Sequence, residues 1–485
     1  MRSTIKIVIL LFFICTSMSG ASFPDMEKYM RQHALIWEQL PMQWNEGAFL
    51  GNGLVGMMVY ADSTLNALVF HLGRPDVTDH RKAPYRKTSI GTEEADKMVD
   101  FCRLDVGKML LFPEGKILSG TFYLDIYNAE LTGHLKTDKG DLTFHAYTPQ
   151  PEEVNIVEVS SGVPYRWKGI PGNPCSPRIR VFPHLKEKLK YKDNPAPVVD
   201  QKDKEGSWVQ SLLAGGDYAT YWKEVPGGKS RSVLYVSTAN EVPASSLSLA
   251  KAMKTVEATQ ITGTKLLKQK TRQWWNAYHE RSFLSIPDKK LENFYFIQMY
   301  KLATCSHPDG PAMDVMGTFF KLSPWPSFWW NLNIQLTYMP IGPANRMEQG
   351  KNFQRLMDEV FPSLVRSIEP CKIGDYTWAL QNYYMYLRYA GADWQDIKQQ
   401  VVPKALDAFA VFDKILCYKE NTWHLTHIES PEYEGFQKYN DSNYGLASLS
   451  WLLQTLIACH DRTSSTHPDY ARWKEILTRL VPSHQ

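Results

Sequence analysis

The hydrophobic period of this chain changes near residue 245, and that change limits its possible folds more than any other feature. Before it, short apolar and β-branched runs alternate with Gly, Pro, Asn and Asp turns, at 56–60, 65–70, 121–127, 141–147, 154–159, 178–182 and 232–237. Many short strands punctuated in this way predict a large antiparallel sandwich. After residue 245 the period is helical. Leu267, Trp274 and Tyr278 fall on one face of a linker helix, and Asp288 is placed to cap a second helix that carries Leu291, Phe294, Tyr295, Gln298 and Leu302. Further helices are predicted over 345–368, 375–390, 394–416, 442–460 and 468–482, with Gly391-Ala392-Asp393 as a break. Tyr376, Leu380, Tyr383, Tyr384 and Leu387 form a stripe that suits a core face. The expected order is a signal segment over 1–21, a β-sandwich domain over 22–245, a helical linker over 246–287 and a helical domain over 288–485.

The first residues suggest the compartment. Arg2 and Lys6 precede the apolar run 7–15, and small residues follow at Ser17, Ser19, Gly20 and Ala21. That layout is a secretory signal, too short for a stable membrane span, and Ser19-Gly20-Ala21 suits cleavage after Ala21. An exported chain without a membrane anchor is expected. Of seven cysteines, Cys15 lies in the signal; Cys102, Cys175, Cys305, Cys371, Cys417 and Cys459 are scattered without CxxC spacing. Buried free thiols therefore fit better than a disulfide framework or a metal cluster. The net charge of +3, from 54 basic and 51 acidic residues with no basic stripe, argues against nucleic acid as a partner.

Chemistry concentrates in Pro324-Trp325-Pro326-Ser327-Phe328-Trp329-Trp330-Asn331-Leu332-Asn333. Indole faces stack on the C–H faces of sugar rings, and side-chain amides hold hydroxyls or a water. Asn331 also suits a helix N-cap with Trp329 and Trp330 as core, but a second amide at Asn333 has no capping duty. Trp325, Trp329 and Trp330 are thus candidate sugar-binding residues, and Asn331 and Asn333 candidate site amides. A second polar group follows at His427-Ile428-Glu429-Ser430-Pro431-Glu432-Tyr433. There Ser430 can cap, Pro431 can open a helix and Glu432 can face its dipole. In the functional alternative Glu432 is a carboxylic acid kept protonated by aromatic surroundings, with Glu429 and Glu434 as competitors and His427 as an orienting or binding residue. No GxSxG elbow, phosphate loop or HExxH zinc motif occurs, and no cofactor or metal is expected.

At these residues the chain resembles glycoside hydrolase family 95, best known for inverting α-L-fucosidases. The likeness rests on Gly51-Asn52-Gly53-Leu54-Val55-Gly56, on Pro324-Trp325 with Trp329-Trp330-Asn331-Leu332-Asn333 and Gln335-Leu336-Thr337-Tyr338-Met339, and on Ser430-Pro431-Glu432. The resemblance implies a β-sandwich followed by an (α/α)6-barrel-type helical domain, and hydrolysis by direct attack of water with inversion. It makes Glu432 the general acid, and Asn331 and Asn333 the amides that hold the water, assisted in the family by a downstream aspartate that has no match here. Trp329 stands where the family carries a sugar-binding histidine, Thr337 where it carries an asparagine, and Tyr433 where it carries an asparagine after the acid.

About seven helices are read against the dozen or so of a six-hairpin barrel, so the barrel is expected to be incomplete. The expected activity is hydrolysis of a terminal α-L-fucoside-like bond in an oligosaccharide or polysaccharide. The alternative is a catalytically inactive remnant that binds sugar through Trp325, Trp329 and Trp330.

Overall fold

The computed structural model describes residues 25–81, 97–241, 247–429 and 437–482. Among the described residues, two antiparallel sheets make up the first half. The larger has nine strands in the spatial order β1 (Leu35–Trp37), β6 (Ile117–Asp125), β7 (Glu130–Thr137), β8 (Asp141–Tyr147), β9 (Val154–Ser161), β14 (Arg231–Glu241), β13 (Asp217–Pro226), β12 (Glu205–Ser211) and β11 (Val198–Gln201). The smaller has five, ordered β10 (Tyr165–Ile170), β5 (Lys108–Pro113), β4 (Ala67–Gly73), β3 (Gly56–Asp62) and β2 (Ala48–Gly51). Strand alternation explains the layering. In β6, Phe122 and Leu124 are buried while Tyr123 between them is exposed. Inward residues of both sheets meet in one core, where Phe70 packs edge-on against Phe144 and Trp167.

Among the described residues, eleven α-helices follow in the second half. They are α1 (Ser248–Thr262), α2 (Thr264–Glu280), α3 (Lys289–Cys305), α4 (Asn333–Tyr338), α5 (Lys351–Glu359), α6 (Phe361–Ser367), α7 (Ile373–Tyr389), α8 (Trp394–Gln400), α9 (Val402–Phe412), α10 (Asn443–Thr463) and α11 (Tyr470–Arg479). α1 lies across β13 and β14. α2 sends Trp275 and Tyr278, and α3 sends Phe296 and Tyr300, into the sandwich core, so sheets and helices share one apolar interior. A second core lies among the later helices and contains Tyr376, Leu380, Tyr383 and Leu387. The fold is an antiparallel β-sandwich followed by a helical domain of the (α/α)6-barrel type.

Several local signals act as anticipated. Asp288 accepts from the backbone N–H groups of Lys290 and Leu291 and caps α3. Gly391 takes a φ of 92°, and Asp393 forms a capping box with Asp396 to start α8. Ser442 caps α10 through the Gly445 N–H.

Other expectations need correction. Segment 178–182 is not a strand: Pro177–Val181 is a short helix opened by Ser176-Pro177, a start signal that outweighs its β-branched residues. The single helices expected over 345–368 and 394–416 are each divided. Pro362 and Pro403 cannot donate within a continuing helix, so each sits in the first turn of a new one, α6 and α9. Past Phe412 the chain leaves the helix for the hairpin of β15 (Leu416–Lys419) and β16 (Thr422–Leu425), followed by the short pair β17 (Ile428–Glu429) and β18 (Lys438–Tyr439).

Candidate active site

The site is assembled where the small sheet meets the helices. Gly53 adopts a φ of 83°, and a Cβ there would stand 2.3 Å from the Ser306 carbonyl carbon and 2.4 Å from the His307 nitrogen. Only glycine permits this approach. Its N–H donates to the Thr304 carbonyl at 2.9 Å, so the turn docks directly on the end of α3. Asn52 locks the turn from the other side. Its amide donates to the carbonyls of Pro149 and Glu152, both at 2.8 Å, while its oxygen accepts from the Leu54 and Val55 N–H groups. The Gly-Asn-Gly motif is therefore a structural joint.

From that joint a long irregular segment, 306–332, crosses the seam and carries the aromatic cluster. Such a segment needs partners for its backbone, and two buried arginines of the β half supply them. Arg103 donates to Asp314 Oδ2 at 3.0 Å and to the carbonyls of Gly317 and Phe319, while its own N–H reaches the Pro326 carbonyl at 2.6 Å. Arg178 donates to the Pro324 carbonyl at 2.5 Å and lies 5.1 Å from the Trp325 ring centroid.

This framework walls a cavity of about 1540 Å³. Small-molecule sites commonly span roughly 300–1,000 Å³, so several linked sugar rings fit. Trp44 and Phe49 line the sheet side, Gln298 and Lys301 come from α3, and Trp325, Trp329 and Asn333 come from the crossing segment and α4. The Trp325 and Trp329 rings stand 5.1 Å apart at a tilt of 50°. Trp325 is 40% exposed and Trp329 only 5%, so it is chiefly Trp325 that offers an apolar face beside the exposed Asn333 amide, with Trp329 backing it.

The candidates separate at this point. Trp325, Trp329 and Asn333 share the cavity wall, whereas Trp330 and Asn331 do not. Trp330 is fully buried and stacks on Tyr376 at 5.1 Å; it packs the helical core and offers no face to a ligand. Asn331 is buried too, and its Oδ1 has no hydrogen-bond partner among the described residues. Nor does it cap α4: that position belongs to Leu332, with a φ of 63° and no side-chain bond. His427 is exposed and is not part of the cavity wall; its backbone N–H donates to Asn440 Oδ1 in a turn. His424 pairs with Asp441 at 2.7 Å. Glu432 and Glu434 lie outside the described residues.

A second cluster was not anticipated. Asp375, in the first turn of α7, accepts a 2.6 Å hydrogen bond from the Tyr444 hydroxyl at the head of α10. Burial raises its pKa to about 7; the Tyr444 bond opposes the shift, nearby Glu429 adds to it and Lys372 opposes it. A carboxyl with that pKa can give or take a proton at neutral pH. Glu429 belongs to β17, which packs against the Pro370–Lys372 turn and α7. Gln335 on α4 donates to the Asp375 carbonyl at 2.8 Å, linking this cluster to the helix that bears Asn333. In the sequence Asp375 looks like an ordinary acidic residue at a helix N-terminus.

No known family matches the sequence, and no curated protein does. Similar folds occur among solved structures. A protein from the human microbiome described as a kojibiose phosphorylase aligns with a TM-score of 0.59 at 10% identity, over 92% of this chain and 70% of that one. A bacterial glucoamylase bound to acarbose aligns over 92% and 69% of the two chains at 8% identity, with a TM-score of 0.49. A family GH92 α-mannosidase from Bacteroides thetaiotaomicron gives 0.30 at 7% identity, over 85% and 69%. The first likeness establishes a shared fold. Among the described residues, no helix is long and apolar enough to cross a membrane.

Proposed function

We propose that this chain is an exported glycoside hydrolase of the family 95 type, hydrolysing a terminal α-L-fucoside-like bond in a glycan with inversion. The observation that carries the reading is the cavity at the sheet–helix seam, where Trp325, Trp329 and Asn333 meet. Its platform suits the apolar face of a pyranose, and its amides suit hydroxyls or a water. A similar two-part fold serves a protein described as a kojibiose phosphorylase, which is consistent with glycosidic-bond chemistry.

In this reading Glu432 protonates the departing glycosidic oxygen and Asn333, on the cavity wall, holds the attacking water; Asn331, expected to share that role, is buried outside the wall. The described residues that border the segment carrying Glu432 include titratable groups. β17 and β18 flank that segment with Glu429 opposite Lys438, and Glu429 lies close enough to Asp375 to influence its titration. Export rests on the signal-like layout of the first 21 residues.

The test is E432Q assayed on a natural oligosaccharide, where turnover should be abolished. Unchanged turnover would remove Glu432 from the role. The enclosure of Asn331 favours a second reading, sugar binding without hydrolysis. Measurable glycan binding with no sugar released would select it.

A further inference from the structure

Among the described residues, the walls of the cavity carry more positive than negative charge: they include Lys301 from α3, Lys321 from the crossing segment and a single carboxylate, Asp314. Asp314 is already committed: Oδ2 faces Arg103 at 3.0 Å, and Oδ1 accepts from the Met316 and Gly317 N–H groups. It cannot also neutralise the lysines. Among the described residues, neither lysine has a carboxylate within ion-pair distance. Each instead lies over an aromatic ring of the sheet-side wall. Lys301 Nζ is 5.7 Å from the Phe49 ring centroid, and Lys321 Nζ is 5.3 Å from that of Trp44. A ring face attracts an ammonium group and steadies it but leaves its full charge unspent.

We propose that the glycan taken by this cavity bears an anionic group, a carboxylate or a sulfate, that is recognised by the Lys301 and Lys321 ammonium groups. The inference rests on the sugar-site reading above and narrows its substrate class. Trp325, backed by the buried Trp329, takes an apolar sugar face, and Asn45, Gln298 and Asn333 are the neutral amides available to hydroxyls. The lysines provide the charge recognition that amides cannot. Two solvent-exposed cations without a carboxylate partner on the cavity lining favour an anion and disfavour a cationic sugar, and because they are exposed they do so less as salt rises.

The test is calorimetric titration of the whole protein with length-matched neutral, uronate-bearing and sulfated oligosaccharides, at low salt and at high salt. Wild type is compared with K301Q/K321Q and with W325A, each first checked for native circular dichroism and melting. At least one anionic series should bind wild type tenfold or more tighter than its neutral match. That advantage should shrink with salt and vanish in K301Q/K321Q, and the uronate and sulfate arms identify which anion is recognised. Equal binding of neutral and anionic glycans, or an advantage that survives in K301Q/K321Q, overturns the charge inference. If neutral binding is also weakened in W325A, the sugar site itself stands. Absence of binding by every glycan overturns both.

Discussion

Arg103 and Asp314, 211 residues apart in sequence, form a buried ion pair at 3.0 Å that ties the sheet half to the aromatic segment of the helical half. The arginine is 1% exposed and also serves the carbonyls of Gly317 and Phe319. Removing one member of such a pair strands the other charge away from water, at a cost of about 3–5 kcal/mol. R103M should therefore lose that much stability in urea denaturation and lose glycan binding as well. A variant with wild-type stability would mean that the segment holds its place without the arginine.

Gly53 should be equally intolerant for a different reason. G53A must hold a φ of 83° while its methyl meets the backbone at Ser306 and His307. Backbone contacts cannot rotate aside as a side chain could, so the joint must open. Strain at a positive φ alone costs about 1–3 kcal/mol, and the clash adds to it. A melting temperature within a degree of wild type would contradict this account.

How much of this was legible beforehand follows from the range of each interaction. The change of period, the Asp288 cap, the break at Gly391 and the aromatic core stripe of α7 are local, and the sequence carries them directly. Pro362 and Pro403 were visible as helix breakers, yet the apolar periodicity running through them concealed the divisions they impose. Within the tryptophan cluster, composition pointed to the right segment but could not say which way each ring faces. Trp329 borders the cavity while its neighbour Trp330 enters the core. Arg103, Arg178, Lys301 and Asp375 acquire their roles from partners tens to hundreds of residues away, and nothing beside them in the sequence announces it.

Asp375 makes stability depend on pH in a definite direction. Its folded pKa is about 7, above the unfolded value near 4. Between those values the folded protein holds a proton that the unfolded chain has released. The contribution of this group to stability therefore falls as pH rises through that window, by at most about 1.4 kcal/mol per pH unit. D375N cannot ionise and can still accept from the Tyr444 hydroxyl. The stability difference, variant minus wild type, should grow from pH 5 to pH 7.5. A difference that stays flat would show that Asp375 is charged in the folded protein.

The cysteines give a test independent of function. All six described thiols are free; Cys102, Cys371 and Cys459 are buried and Cys417 is exposed. Burial also pushes the pKa of the Cys102 thiol far up, so it has little thiolate to react. Native protein should modify readily at Cys417, slowly or not at all at the buried three, and its melting temperature should not change with reductant. A reductant-dependent loss of stability would indicate a bridge.

Trp330 and Trp325 are five residues apart and should fail in opposite ways. Trp330 is fully buried against Tyr376 and Phe361, so W330A opens a large void in the helical core. Truncations of this kind cost about 3–5 kcal/mol. Trp325 is 40% exposed at the cavity wall, propped by Arg178 and tilted against Trp329. It belongs to neither apolar core and two-fifths of its surface meets solvent, so W325A removes far less core contact than W330A, and about 1 kcal/mol or less of stability is expected to go with it. It does remove part of the platform on which a sugar would stack. Paired denaturation and glycan titrations should therefore place W330A on the stability axis and W325A on the binding axis. If W325A proves as destabilising as W330A, the crossing segment acts as core throughout, and the case for a sugar platform at Trp325 and Trp329 fails with it.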